Sequence, residues 1–496
     1  MYALSEEQQA AVTLAQTGGD GAIVARAGSG KTFTLRAIAE TTRDHTLLLA
    51  FNRAIAREAQ ARFPPHVEAT TMHALAWRSI VAGRPDYRRK FTASTHASDV
   101  TWCSAMGLDA NDAACLTHLT AIRSILQAFL VSRDPAPSKR HVSEALRRWL
   151  ASNLARAARK DREAWWVRRA ARTWRRMADP NDPTPLGHDA YLKLYALGRP
   201  RLPGDLLLVD EAQDLAPVML DLLTLQDAPR ILVGDPAQGI YGFRGAMDAM
   251  AASGYPEVRL TQSFRFGPEI AEVAQRALRI VAPGAKLRGA GEAGAVTFER
   301  PLATGPRTIV CRTTLGALEA LLEHGEGGVH IVGGVQELLD HLKTASAAWR
   351  RQGGKNVPHL GRPGARQSNE DVTWQAFTAA ADAEPGARRV ARHLAEQYGE
   401  GLPQLAARIA EWHQDAEDAP VLITTIHRAK GREWDDVILW RDVRNVPTSP
   451  GALARSTDVD EARSEVHLLY VALTRARRRL DLTRLSPNLK RFLAGG

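Results

Sequence analysis

The sequence predicts an α/β fold in which a parallel sheet presents a phosphate-binding loop where a strand gives way to a helix. Three stretches carry that prediction: VARAGSGKTFTL over 24–35, LLLVDEAQD over 206–214 and RILVGDPAQGIYGFRGA over 230–246. Each runs from apolar residues into small, acidic or polar ones. That is the pattern of a buried strand whose C-terminal edge faces a ligand.

In the first stretch Ala22, Ile23 and Val24 read as the strand, and FTLRAIAE spaces Leu35, Ile38 and Ala39 along one helix face. The tight glycine turn between them aims backbone N–H groups and the positive helix end at a phosphate. Lys31 then reaches the terminal phosphates and Thr32 holds a Mg²⁺. Alone, this specifies a nucleoside triphosphate and no more. In the second stretch Asp210 is placed to enter the Mg²⁺ shell, and Glu211 to orient or deprotonate an attacking water. In the third, Gln238 is placed to sense the γ-phosphate. Tyr241, Phe243 and Arg244 add two ring faces and a cation, suited either to single-stranded bases or to core filling.

The chain has 496 residues, more than one hydrophobic core fills, so several domains are expected. No apolar run reaches membrane-spanning length, and MYALSEEQQ lacks a basic region followed by an apolar one, so the cytoplasm is the expected location. Cys103, Cys115 and Cys311 show no CxxC spacing, which argues against a disulfide framework or a structural zinc. A formal charge of +10 favours an anionic partner. The charge is densest over 138–177, where Trp149, Trp165, Trp166 and Trp174 interleave with Arg and Lys. Two readings stay open there: a phosphate-tracking, base-stacking segment, or an amphipathic helix pair with tryptophans in its core.

The order and wording of the segments resemble the UvrD/Rep/PcrA type of superfamily 1A DNA helicase over most of the chain. LSEEQ (4–8) resembles the Q motif, which implies an adenine contact at Gln8. ARAGSGKT resembles motif I, which implies that Ala27, Gly28, Ser29, Gly30, Lys31 and Thr32 surround the nucleotide. LLLAFNRAIAREAQARF (47–63) and TTMHALA (70–76) resemble motifs Ia and Ib, implying DNA contacts at Phe51, Asn52, Thr71 and His73. VDEAQD resembles motif II and VGDPAQGIYGFRGA motif III, with Tyr241, Phe243 and Arg244 toward DNA. LTQSFRF (260–266) resembles the motif supplying an adenine-stacking ring, here Phe264, and an arginine finger, here Arg265. VLITTIHRAKGREWDDVIL (421–439) resembles motif V, with Thr425 and His427 toward DNA and Glu433 toward the nucleotide. EVHLLYVALTRAR (465–477) resembles motif VI, which implies a second finger at Arg475. AFNRAIAREA, GHDAYLKLYAL (187–197, with His188 a further DNA contact), LTQSFRFGPEIA and HRAKGREWDDV look most like the F-box DNA helicase branch. The Q motif begins at residue 4, so no F-box is expected ahead of it and no ubiquitin-ligase role is carried over.

The resemblance implies two RecA-like P-loop NTPase domains, parallel sheets flanked by helices, each interrupted by a mainly helical insert. Domain 1A covers 1–80 and 187–285, insert 1B 81–186, domain 2A 286–334 and 419–496, and a short insert 2B 335–418. Within 2B, 349–369 reads as a loop or DNA-facing hairpin. ATP and Mg²⁺ are the implied cofactors, and single-stranded DNA and its junctions with duplex the implied partners. The implied activity is ATP-dependent 3′-to-5′ movement, as a monomer, in repair, recombination or replication. The alternative is a DNA-stimulated ATPase subunit that strips proteins or serves a partner nuclease, as in phage defence. No paired-carboxylate-plus-lysine nuclease cluster stands outside the motifs. Four residues depart from the family pattern. Ser5 replaces Asn, Phe243 replaces Trp and Phe264 replaces Tyr. Arg26 stands where close relatives usually carry Gly, as a cation that contacts phosphate or points outward.

Overall fold

The computed structural model describes residues 3–95, 97–109, 114–242, 248–301, 305–352 and 387–495. Its frame is a pair of six-stranded sheets. The first comprises β1 (Gly21–Ala25), β2 (Thr46–Leu49), β3 (Val67–Thr70), β4 (Leu206–Val209), β5 (Arg230–Gly234) and β6 (Glu257–Leu260). Their order is β3-β2-β4-β5-β1-β6, and every pairing is parallel. Parallel strands covered on both faces read as continuous apolar runs, and β1 is buried at all five positions. Alternation then assigns its side chains to two cores. Ala22 and Val24 pack with the helices that follow β3, whereas Ile23 and Ala25 pack with Leu35, Ile38 and Val12.

Between β3 and β4 the described chain is helical, including Cys115–Val131, Glu144–Asn153 and Arg156–Ala178. Trp166 and Trp174 lie in one core with Phe129 and Ile122, and Trp149 and Trp165 pack half-buried against it. The tryptophans are therefore packing residues, and the base-stacking reading of this segment falls. Its arginines divide by face. Arg168, Arg172 and Arg175 are exposed along one side of the helix. Arg169 instead donates to the Met106 carbonyl at 3.4 Å and lies over the Trp165 ring.

A short pair, β7 (Gln262–Ser263) and β8 (Arg288–Gly289), precedes the second sheet. That sheet comprises β9 (Ala295–Thr297), β10 (Arg307–Cys311), β11 (Val329–Ile331), β12 (Val421–Thr425), β13 (Trp434–Leu439) and β14 (Ala476–Asp481). It is again parallel, in the order β11-β12-β10-β13-β14-β9. Two sequence expectations change here. The helix Pro268–Val281, assigned by sequence to the first domain, buries Ile270, Ala274 and Leu278 in the same core as Val310 and Leu469 of the second lobe. Its apolar stripe matches that lobe, which pulls the first domain's end back toward residue 267. The helices of 335–418 also share a core with the second sheet: Leu342, Leu394 and Ile409 pack with Ile423 and Leu321. What is described of this insert is a layer on the sheet with no core of its own. Most of 349–369, read as loop or hairpin, lies outside the described residues. Among the described residues no helix is long and apolar enough to cross a membrane.

Candidate nucleotide cleft and nucleic-acid surface

The loop after β1 is shaped by two glycines. Gly28 and Gly30 have φ of +74° and +81°, a left-handed backbone that L side chains rarely adopt. A Cβ on Gly28 would also stand 2.4 Å from Ser263 Oγ, so only glycine lets the loop close onto β7. Gly30 opens the helix Lys31–Glu40, whose unpaired N–H groups face outward from the loop. Ser29 Oγ is buried here without a hydrogen-bond partner among the described residues. An unfilled hydroxyl in a glycine cradle fits a phosphate.

This loop forms one wall of a cavity of about 610 Å³. The first sheet contributes Lys31, Thr32, Asp210, Glu211 and Gln238; the link contributes Phe264 and Arg265; the second lobe contributes Glu433 and Arg475. Residues distant in sequence thus meet in one cleft. Glu211 has a φ of +52°, a conformation costing a non-glycine residue about 1 kcal/mol or more, as is found at functional sites. Its carboxylate lies 3.2 Å from Lys31 Nζ and accepts from the Gln213 amide. Burial pushes Glu211 up, but Lys31 and Lys430 outweigh it and hold it down to about 2. Burial, then the Glu211 charge, push Asp210 up to about 7. A cation beside Asp210 would offset both causes. With Thr32 on the same wall, these hard oxygen donors fit a Mg²⁺ whose shell the phosphates complete.

Arg475 is 1 % exposed and donates to Val471 O, Arg432 O and Gln238 Oε1, the last at 3.3 Å. Burial, then the like charge of Arg265, hold Arg475 down to about 9. A buried guanidinium with a second one beside it marks a place for a polyanion. Arg265 also pairs with Glu433 at 2.5 Å and donates to Thr474 O at 3.0 Å. Phe264 is half-exposed beside them, available for stacking. Gln8 departs from expectation. It is 3 % exposed, its Nε2 donates to Ser29 O at 3.2 Å, and its Oε1 accepts from Ser5 N–H. Both ends of the amide are engaged within the protein, so Gln8 braces the loop from behind, away from the cavity wall. Ala27 is likewise buried behind the loop.

The residues expected to touch DNA fall into two groups. Phe51, Tyr241 and His427 come together across the lobes. The Phe51 and Tyr241 rings stack at 5.5 Å and 18°, Tyr241 lies 6.1 Å from His427, and Lys430 sits over Tyr241 at 5.0 Å. Phe51 remains 43 % exposed, so part of the ring is accessible for stacking. The second group lies where the helical insert meets the first sheet. His73 contacts His188 and Asp189, and His188 bonds the Tyr191 hydroxyl at 2.9 Å. Asn52 and Thr71 are helix N-caps, accepting from Ile55 N–H and Ala74 N–H. Their side chains are accounted for by helix geometry. Thr425 sits at the start of the helix Ile426–Ala429 without such a bond. Phe243 and Arg244 lie outside the described residues.

Sequence reasoning did not place two buried ion pairs. Lys430 meets Asp214 and donates to Gln238 O at 2.6 Å, tying the second lobe to the first. Arg26 neither faces the phosphate cavity nor points outward: it is 7 % exposed and pairs with Asp235 at 2.8 Å. Its departure from the family's usual glycine was the available signal.

A family model described as an AAA domain matches residues 8–244, and one described as a UvrD-like helicase C-terminal domain matches 393–486. The chain is 30% identical over 95% of its length to F-box DNA helicase 1 of Gallus gallus, covering 48% of that protein. It is 30% identical over 93% to F-box DNA helicase protein 1 of Schizosaccharomyces pombe, covering 55% of it. It is 25% identical over 55% to ATP-dependent DNA helicase UvrD2 of Mycobacterium tuberculosis, covering 46% of it. The chain therefore spans about half the length of these relatives. The two models fall in order on the lobes that build the cleft, and the chain belongs to the UvrD-like superfamily 1 helicases, related to their F-box DNA helicase branch.

Proposed function

We propose that the chain is an ATP-driven DNA helicase or translocase moving 3′-to-5′ on single-stranded DNA and its junctions with duplex. One observation carries the reading: a single cavity has Lys31 and Glu211 on one wall and Glu433 and Arg475 on the other. A ligand that fills it draws the lobes together, and its cleavage releases them. In this reading Lys31 leaves Glu211 for the terminal phosphates, and Phe264 stacks on the base. Thr32 and Asp210 hold Mg²⁺, which when bound neutralises charge on the phosphate oxygens. Freed of Lys31, Glu211 orients the attacking water, while Gln238, Arg265 and Arg475 face the charge that develops. The ring cluster of Phe51, Tyr241 and His427 bridges both lobes, so closure changes the grip on a base lying against it. Residues 1–80 with 187 to about 267 serve as domain 1A, and the second-sheet lobe as domain 2A.

The test is unwinding of duplexes with 3′ or 5′ overhangs, using ATP or a non-hydrolysable analogue. Strand separation on 3′ overhangs with ATP alone is expected. Separation only on 5′ overhangs overturns the polarity, and hydrolysis indifferent to single-stranded DNA overturns the reading.

The helical insert supplies the second contact. Its exposed Arg168 and Arg172 are proposed to lie along phosphates. Neutralising both as glutamine is expected to reduce the slope of log affinity against log salt by about 1–2. The Trp165 and Trp166 packing should survive, as the melting temperature will report. An unchanged slope makes this helix face a solvated surface.

A further inference from the structure

We propose that Arg26 is a positioning residue for hydrolysis, a latch that orients Asp235 so that the phosphate loop, Gln238 and the second lobe move as one. The proposal rests on the ATPase reading above. Asp235, at the end of β5, is fully buried. One carboxylate oxygen accepts from Arg26 Nη1 at 2.8 Å and from Ala237 N–H at 3.3 Å. The other accepts from Gln238 Nε2 at 2.8 Å and from the Tyr470 hydroxyl at 3.1 Å. Tyr470 belongs to the helix Val459–Leu473 of the second lobe, and its oxygen also accepts from Ala27 N–H at 3.5 Å. Gln238 in turn accepts from Arg475. A single carboxylate thus joins the loop before Lys31, the side chain placed to read the γ-phosphate, and the helix that ends at Arg475.

Geometry assigns Arg26 its role in this hub. Tyr470 and Gln238 are neutral donors, so Arg26 is the cation paired with this buried carboxylate, and it fixes which oxygen serves which partner. Without it the carboxylate is free to turn, and Gln238 and Tyr470 lose a fixed shared acceptor. Lys31, Thr32 and the glycine turn are untouched, so nucleotide binding is retained while the assembled cleft is lost. Misplacement of this kind acts on turnover before it acts on affinity.

The experiment is a steady-state ATPase titration with and without a single-stranded oligothymidylate, alongside thermal melting. Arg26→Ala is expected to lower DNA-stimulated kcat by at least about tenfold while KM for ATP stays within about threefold. Arg26→Lys keeps the charge and is expected to recover most of that loss. Tyr470→Phe removes only the hydroxyl and is expected to lower stimulated turnover too, with less than additive loss when combined with Arg26→Ala. The double variant Arg26→Ala/Asp235→Asn removes both charges, and is expected to restore the melting temperature but not turnover. Recovery of turnover together with melting temperature in that variant overturns the proposal, leaving Arg26 as charge compensation. Wild-type turnover in Tyr470→Phe overturns it as well, and that measurement stands even if Arg26→Ala fails to fold. If the wild-type protein hydrolyses ATP without DNA stimulation, the helicase reading fails by itself, and the variants still report on the latch through basal kcat.

Discussion

Glu211→Gln is expected to bind ATP at least as well as the wild-type chain and to lose DNA-stimulated turnover by about 10²–10⁴-fold, the range for removing a positioned general base. The geometry supplies both halves of this expectation. Glu211 holds Lys31 at 3.2 Å, so in the resting cleft the carboxylate competes with phosphate for the cation. The glutamine removes that competitor without changing the size of the side chain. It also removes the negative charge that Lys31 and Lys430 keep down to about 2. A carboxylate that acidic is a poor proton acceptor until its cations move. Departure of Lys31 to the phosphates withdraws the largest of the lowering influences, raising the basicity of Glu211 as the nucleotide arrives. In the proposed reading, nucleotide binding thereby makes this carboxylate a better base, a change glutamine cannot follow. Equilibrium binding of a fluorescent ATP analogue and steady-state phosphate release check the two halves separately. Wild-type hydrolysis in Glu211→Gln would sink the role assigned to this carboxylate.

The parts of this arrangement legible in the sequence are those where one local pattern dictates one local structure. A buried strand, left-handed glycines and a helix start place Lys31 and Thr32 with no tertiary information. The acids after β4 are legible for the same reason, since parallel strands collect their ligands at one edge. Which distant segments complete the cleft came from resemblance; no periodicity relates Arg475 to Lys31. Packing was the least legible. Trp166 and Arg168 are two residues apart, yet one is core and the other solvent-facing. A basic, aromatic composition does not distinguish those faces until the helix partner is known. Gln8 and Arg26 show a related limit. A polar side chain beside a nucleotide loop suggests a ligand contact, whereas these two turn into the protein and bond Ser29 and Asp235. The packing of the helix Pro268–Val281 was not legible, because it follows first-sheet strands in sequence but presents its apolar stripe to the second lobe.

Arg475→Ala is expected to slow turnover by about 10³-fold, the order associated with an arginine finger, while ATP affinity changes by less than about tenfold. In the structure Arg475 is already tied to Val471 O, Arg432 O and Gln238 Oε1. Deleting it takes this donor from the buried Gln238 Oε1 and from Arg432 O, so some loss of melting temperature accompanies the variant. The kinetic split separates the two effects. A structural defect distributes over binding and turnover, whereas loss of a group facing charge on the transferring phosphoryl falls on kcat. Its surroundings suit such a group, because burial and Arg265 hold its charge disfavoured, down to about 9, until a polyanion enters. In the proposed reading, its stabilising effect is expected to grow with the negative charge that develops between the lobes. Arg475→Lys sharpens the test. It retains a cation but not the planar fork that reaches Val471 O, Arg432 O and Gln238 Oε1 together, so turnover is expected to stay well below wild type with the fold less disturbed. Equal losses of affinity and turnover in Arg475→Ala, or full turnover in Arg475→Lys, would return Arg475 to a structural tie between helix Val459–Leu473 and Gln238.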